Sequence, residues 1–190
     1  MRFLLILFIF GSLGCKAKLK ESSSNRTNSR AKVAAGAGAE VATVNGDNAA
    51  TVTIAEGTFD QAVDVEIKIL DSAQFSPITP LHKSAVSILE TKIVSLDGTP
   101  ITPDAASKDV VVKLSAKGPL DESSIELVVY TNIGTPEETQ TIIPNSLLTI
   151  TSSGPPEFTV EVQFVTRDLN ATYALAVSYT HLTLPTTRLV

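Results

Sequence analysis

FTVEVQF, residues 158–164, sets Phe158, Val160, Val162 and Phe164 on one side of an extended chain and Thr159, Glu161 and Gln163 on the other. A period of two over seven residues is the pattern of a half-buried β-strand, with one face on a core and one in water. The same alternation recurs upstream. Val63, Val65, Ile67 and Ile69 alternate with Asp64, Glu66 and Lys68, Val110, Val112 and Leu114 share a face, and so do Ile125, Leu127 and Val129. Shorter strand-like runs lie at 41–44, 50–55, 86–94, 141–143, 147–151 and 172–176.

Between these runs stand turn-forming residues. They are Asn45-Gly46-Asp47-Asn48, Glu56-Gly57, Asp97-Gly98, Gly118-Pro119, Pro144-Asn145 and Ser153-Gly154-Pro155-Pro156. Residues 71–83, with Pro77 and Pro80, read as an irregular crossing loop. No segment carries a helical period. Short strands at this spacing predict an all-β fold, a single antiparallel β-sandwich over residues 40–176, with a barrel as the alternative. The chain has 190 residues and one cysteine, so no intrachain disulfide is available and packing must hold the domain.

The N-terminal end has a different character. Arg2 precedes an unbroken apolar run, residues 3–10 (FLLILFIF), followed by Gly11, Ser12, Gly14 and Cys15. The run is well short of the ~20 residues a membrane-spanning helix needs, and it fits the h-region of a secretory signal. Residues 11–15 resemble the lipobox of bacterial lipoproteins, in which a small residue precedes the cysteine that is diacylated and becomes the new N-terminus. That resemblance implies a signal peptide over 1–14 cut after Gly14, and a fatty-acylated, palmitate-type anchor on Cys15. Two or three acyl chains hold a protein stably at a bilayer where one holds it marginally. An ordinary secreted protein with a free thiol is the competing reading. Lys16 stands directly after the cysteine, which by resemblance to Gram-negative sorting favours the outer membrane.

Residues 16–39 are rich in Lys, Ser, Asn, Ala and Gly and read as a flexible tether. The net charge of −5 is unevenly spread. Lys16, Lys18, Lys20, Arg26, Arg30 and Lys32 face only Glu21, whereas acids dominate from residue 40 onward. A basic segment beside an acyl anchor is drawn to anionic headgroups, and the acidic domain excludes nucleic acid as an expected partner.

Residues 177–190 (VSYTHLTLPTTRLV) resemble a translated transposon-type sequencing adapter, whose bases GTC TCT TAT ACA CAT CTG ACG CTG CCG ACG encode residues 177–186. On that reading the tail is not native, His181 carries no functional information, and the domain is expected to be a truncated fragment.

Two stretches carry a family resemblance. Residues 51–57 (TVTIAEG) resemble the VTIPAG opening of ZU-five-type domains, and residues 158–175 (FTVEVQFVTRDLNATYAL) resemble their closing strand pair. The family is a β-sandwich. Some members cleave themselves at a His-Phe-Ser step near that closing pair. The matching residues here are Leu169, Asn170 and Ala171, which offer neither a base nor a nucleophile, and Thr172 has no evident activating partner. No autoproteolysis is expected.

The remaining candidates read as ordinary surface chemistry. His82 lies in the proline-bearing loop beside Lys83, with no Cys-His or His-x-His spacing. Asn45, Asp47, Asn48, Asp60 and Asp64 could supply oxygen ligands to calcium, without an EF-hand pattern among them. Asp121-Glu122 and Glu137-Glu138 are paired acids in loops, where carboxylates are solvated. The expected function is a non-enzymatic, envelope-anchored interaction or scaffold module without cofactor or metal. The expected partners are the membrane, through the N-terminal lipid, and a protein or glycan of the bacterial cell surface or periplasm. The alternative is a periplasmic glycan- or peptide-binding module, for which Phe75, Tyr130 and Tyr173 are the available aromatic side chains.

Overall fold

A computed structural model describes residues 28–118, 120, 122–153 and 158–177. Eleven strands alternate with turns in it: β1 (Asn28–Val33), β2 (Ala39–Asn45), β3 (Asn48–Ile54), β4 (Val63–Ile69), β5 (Ser84–Ser95), β6 (Val110–Lys117), β7 (Ile125–Thr131), β8 (Thr139–Ile143), β9 (Thr149–Ser153), β10 (Thr159–Thr166) and β11 (Ala171–Val177). They form a six-stranded sheet, β1-β4-β5-β11-β7-β8, and a five-stranded sheet, β2-β3-β6-β10-β9. Every pairing is antiparallel. Among the described residues the helical segments are short 3-10 turns, and no helix is long and apolar enough to cross a membrane. The protein is a β-sandwich.

The alternation in sequence becomes burial in space. In β10, Val160, Val162 and Phe164 are buried, while Thr159, Glu161 and Gln163 are only partly covered. They meet Val112, Leu114 and Ala116 of β6 in register, Val162 opposite Leu114. Across the sandwich, Val63, Val65, Ile67 and Ile69 of β4 pack with Val52 and Ile54 of β3, and Leu127 and Tyr173 join the same core. Each fully buried aliphatic side chain contributes about 1.5–3 kcal/mol relative to exposure, so this shared interior is what joins the two sheets.

The turn between β2 and β3 shows how local chemistry sets register. Asn45 pairs with Asn48, leaving Gly46 and Asp47 as a two-residue loop. Gly46 has φ +57°. A positive φ at the first loop position suits a II′-type hairpin turn, whose twist matches that of the strands, and glycine adopts it without a Cβ clash.

Two features of the six-stranded sheet differ from the sequence expectation. First, β1 lies inside the segment read as tether. It pairs with β4 over its whole length, Ala31 opposite Val65 and Val33 opposite Val63. Only Ala31 and Val33 are apolar in β1, so it shows no sustained hydrophobic period. What holds it is its pairing, the burial of Val33 in the main core and the Arg30–Asp64 contact described below. Residues 28–39 therefore belong with the sandwich. Second, β11, expected only as a short strand over 172–176, runs from Ala171 to Val177 and is buried at all seven positions. Phe75 and Leu81 of the irregular loop, with Ile133, cover Val128, Tyr130 and Ala174 on the outer face. That loop is a lid for the sheet. Val177, the first residue of the adapter-like stretch, is the last of β11 and is buried.

One core position is poorly matched to its surroundings. Among the described residues the Ser87 hydroxyl in β5, opposite Leu175, is buried without a hydrogen-bond partner. A buried unpaired hydroxyl costs about 1–3 kcal/mol of desolvation. Ser87→Ala is therefore expected to raise the denaturation midpoint, by up to about 1 kcal/mol once the lost volume is counted. A lower midpoint in chemical denaturation would contradict this.

Candidate functional site

The corner between β10 and β11 carries Leu169, Asn170 and Ala171, the residues weighed above for self-cleavage. The chain leaves the five-stranded sheet after Thr166, crosses to the six-stranded sheet, and enters β11 at Ala171. Four side chains fasten this crossing. Leu169 drops into the main core, where it is 2% exposed. Asn170 spans two partners: its Oδ1 accepts the Ile93 N–H at 3.1 Å, and its Nδ2 donates to the Ile101 carbonyl at 3.1 Å. Thr91 Oγ1 in β5 lies 3.3 Å from the Leu169 carbonyl and 3.2 Å from that of Ala171, to which its hydroxyl donates, and accepts from the Ala171 N–H at 3.4 Å.

Tyr173 completes the corner. Its ring is fully buried and stacks, tilted, on Phe164 at 5.0 Å between centroids. Its hydroxyl donates back to the Asp168 carbonyl and lies 3.4 Å from Thr166 Oγ1. A tyrosine that reaches from a strand to the backbone a few residues upstream is a recurrent lock of sandwich corners. Burial pushes the Tyr173 hydroxyl far above its ordinary pKa, so it stays a neutral donor. The corner is thus filled with groups that bond to backbone. Ala171 has no nucleophilic atom, Leu169 has no basic one, and Thr172 is buried. A single band on a denaturing gel after prolonged incubation of the purified chain is the expected result, and a paired set of fragments meeting at this corner would contradict it.

The aromatic candidates are divided by the fold. Phe75 and Tyr130 meet edge to face at 5.4 Å, with Tyr130 buried beneath the loop. The Tyr130 hydroxyl donates to the Thr79 carbonyl at 3.1 Å and accepts from Gln140 Nε2 at 2.7 Å. Tyr173 sits apart from them in the corner. Tyr130 and Tyr173 are fully buried and Phe75 is partly buried, and sequence reasoning missed this because covering a sheet by a distant loop leaves no local signal.

The acidic candidates are also scattered. Glu138 braces the loops, its carboxylate accepting N–H groups from Ile78 at 2.9 Å, Thr79 at 2.8 Å and Gly134 at 2.8 Å. Desolvation pushes its pKa up, but these donors outweigh it and hold the carboxyl below its usual range. Asp47 lies 3.7 Å from Lys117, and Asn45 Nδ2 donates to Asp71. Asp60 lines a surface cleft of about 500 Å³ with Asp104, Thr58 and Ser107. Among the described residues no three His, Cys, Asp or Glu side chains are grouped so as to hold a metal. His82 is exposed. Gly14, Cys15, Asp121 and His181 lie outside the described residues.

Asp64, weighed as a cation ligand, is engaged by a guanidinium. Arg30 Nε and Nη2 donate to its two oxygens at 2.8 and 2.6 Å, a two-pronged contact tying β1 to β4. Asp64 is 4% exposed. The Arg30 hydrogen bonds lower its pKa more than desolvation raises it, so the folded value lies below the unfolded one. A depressed carboxylate stabilises the fold above the unfolded pKa of about 4, and that contribution is lost as pH falls through the folded value. Arg30→Met is expected to lower the melting temperature at pH 7 by leaving a buried charge unpaired. The gap to the parent protein should narrow as pH falls through the depressed folded pKa of Asp64, since the ion pair is lost once that carboxyl is protonated. A gap independent of pH would show that the loss is packing alone.

No family model matches this chain, and comparison with curated proteins and with solved structures finds no match either.

Proposed function

We propose that this protein is a non-enzymatic interaction or scaffold module of the bacterial envelope, held at a membrane by an acylated Cys15. The observation that carries the proposal is the order of its parts: a lipobox-like Gly14-Cys15, a basic stretch, then a sandwich whose first strand starts at Asn28. The twelve residues between Cys15 and Asn28 can span at most roughly 40 Å. Such a domain works close to the surface that anchors it, on partners in the same layer. Lys16, Lys18, Lys20 and Arg26 within that stretch favour anionic lipid.

Support for an interaction role comes from how the polar side chains are used. Thr91, Asn170, Tyr173, Glu138 and Asp64 are each spent on backbone or on a fixed ion partner. The faces and loops left to solvent are those a binding partner would use. Capture of an envelope protein by the tagged chain, competed in a dose-dependent way by the untagged chain, is the expected result. Saturable binding on a glycan array with no competed protein capture would replace this reading with that of a glycan-binding module.

A further inference from the structure

The two lateral sides of the sandwich are chemically unlike. On one side β1 and β2 end their sheets and lie against each other. Exposed or half-exposed Arg30, Lys32 and Glu40 mark those strands. On the other side β8 and β9 end the two sheets, joined by residues 144–148. Residues 139–153 (TQTIIPNSLLTITSS) contain no charged side chain at all. Ile142 is 54% exposed and Leu147 65% exposed within that stretch. Among the described residues no strand pairs with the outer edge of β8.

An open strand edge presents unpaired N–H and C=O groups, and proteins that avoid self-pairing blunt such edges with charges, proline or bulges. Here β1 is blunted and β8 is not. Pairing two copies of β1 antiparallel about Ala31 would set Arg30 of one copy against Lys32 of the other, a like-charge contact. Pairing two copies of β8 about Thr141 sets Thr141 against itself, Gln140 against Ile142 and Thr139 against Ile143, with no charge in any pair. Ile142 of one copy then lies diagonal to Ile142 of the other, on the outer face, within the reach of side chains across strands. The neighbouring β9 brings no charge to the contact.

We propose that the edge of β8 is a self-association site, where a second copy of this chain adds its own β8 across a two-fold axis. The two six-stranded sheets then continue as one. The contact is isologous, so it closes as a dimer and does not propagate into a fibre. A five-residue strand buries little area, which places the dimer in the weak, reversible class. The inference rests on edge chemistry and register and does not depend on Cys15.

The test uses two differently tagged copies of the full chain, co-expressed, extracted in mild detergent and captured through one tag. Recovery of the second tag is expected for the parent pair. It is expected to fall by about tenfold or more when both copies carry Ile142→Lys, or both Ile142→Glu, since like charges then meet at the axis. One copy with Ile142→Lys and the other with Ile142→Glu should restore recovery. Ile142 is mostly exposed, so both variants should keep the parent's melting temperature. Absence of co-capture in the parent, or retention of it in the Lys–Lys pair, would overturn the proposal. Loss in the single-charge pairs without rescue in the mixed pair would also overturn it, and would point to a separate extended peptide as the occupant of the edge.

Discussion

Tyr173→Ala is expected to remove about 3–5 kcal/mol of folding stability, the range for truncating a large buried aromatic side chain. Domains of this size have about 5–15 kcal/mol in total, so the variant should expose a substantial unfolded fraction well below the parent's transition. Two losses combine at this one position. The ring leaves a void against Phe164 in the main core, and the hydroxyl no longer ties β11 to the Asp168 carbonyl. Tyr173→Phe separates them. It keeps the ring and deletes only the donor, at a cost of about 1–2 kcal/mol, or roughly 3–8 °C in melting temperature.

The alkaline limb of the stability curve gives a signature of the burial of the same hydroxyl. The folded hydroxyl's pKa is raised above the unfolded value of about 10. Above pH 10 the unfolded chain therefore releases a proton that the folded chain retains, and stability falls as pH rises. The Tyr173→Phe variant lacks that contribution and should lose less stability between neutral pH and pH 11. Tyr130 is also pushed up by burial, so the variant's curve flattens without becoming level. Parallel pH curves for the two proteins would mean that the Tyr173 hydroxyl is not buried as described.

The corner between β10 and β11 is fastened by its own side chains and by β5. Asn170 accepts the Ile93 N–H and donates to the Ile101 carbonyl, and Thr91 Oγ1 lies within hydrogen-bond distance of the carbonyls on either side of Asn170. A backbone held in this way resists the distortion that intramolecular attack on a carbonyl needs. These positions carry cohesion in this chain.

Local alternation made most of the sandwich legible in the sequence. β4, β6 and β10 follow from period two because one face of each meets the core and the other meets water. β1 was illegible because NSRAKV has only two apolar positions, and an edge strand can be held by its neighbour's backbone and one ion pair. The full burial of β11 was illegible for a different reason. It depends on Phe75 and Leu81, about a hundred residues away in sequence, folding across the outer face. Tyr173 shows the cost of reading aromatics singly. As a side chain in a list it suggests a ligand platform, and only the tertiary path from Thr166 to Ala171 reveals it as a lock. The charge-free stretch 139–153 was visible throughout, but its meaning required knowing that both strands in it end their sheets.

The largest effect on the protein's behaviour in the cell is expected from a residue outside the sandwich. Cys15→Ser removes the only thiol that can be acylated. On the proposed reading of Cys15 as the acylated residue, at about 0.8 kcal/mol for each buried methylene, the loss of two acyl chains would abolish stable membrane residence, and the basic residues between Cys15 and the sandwich would not replace it at physiological salt. The first strand of the sandwich starts at Asn28, and the variant is expected to fold with the parent's melting temperature.

The direct measurement is fractionation of cells expressing the parent and Cys15→Ser chains after growth with a clickable palmitate analogue. The parent protein should carry the label, sediment with membranes, and resist extraction by high salt. The variant should be unlabelled and soluble. A parent protein without label, or a Cys15→Ser protein that still sediments with salt-washed membranes, would contradict the account of this chain as a lipid-anchored envelope module.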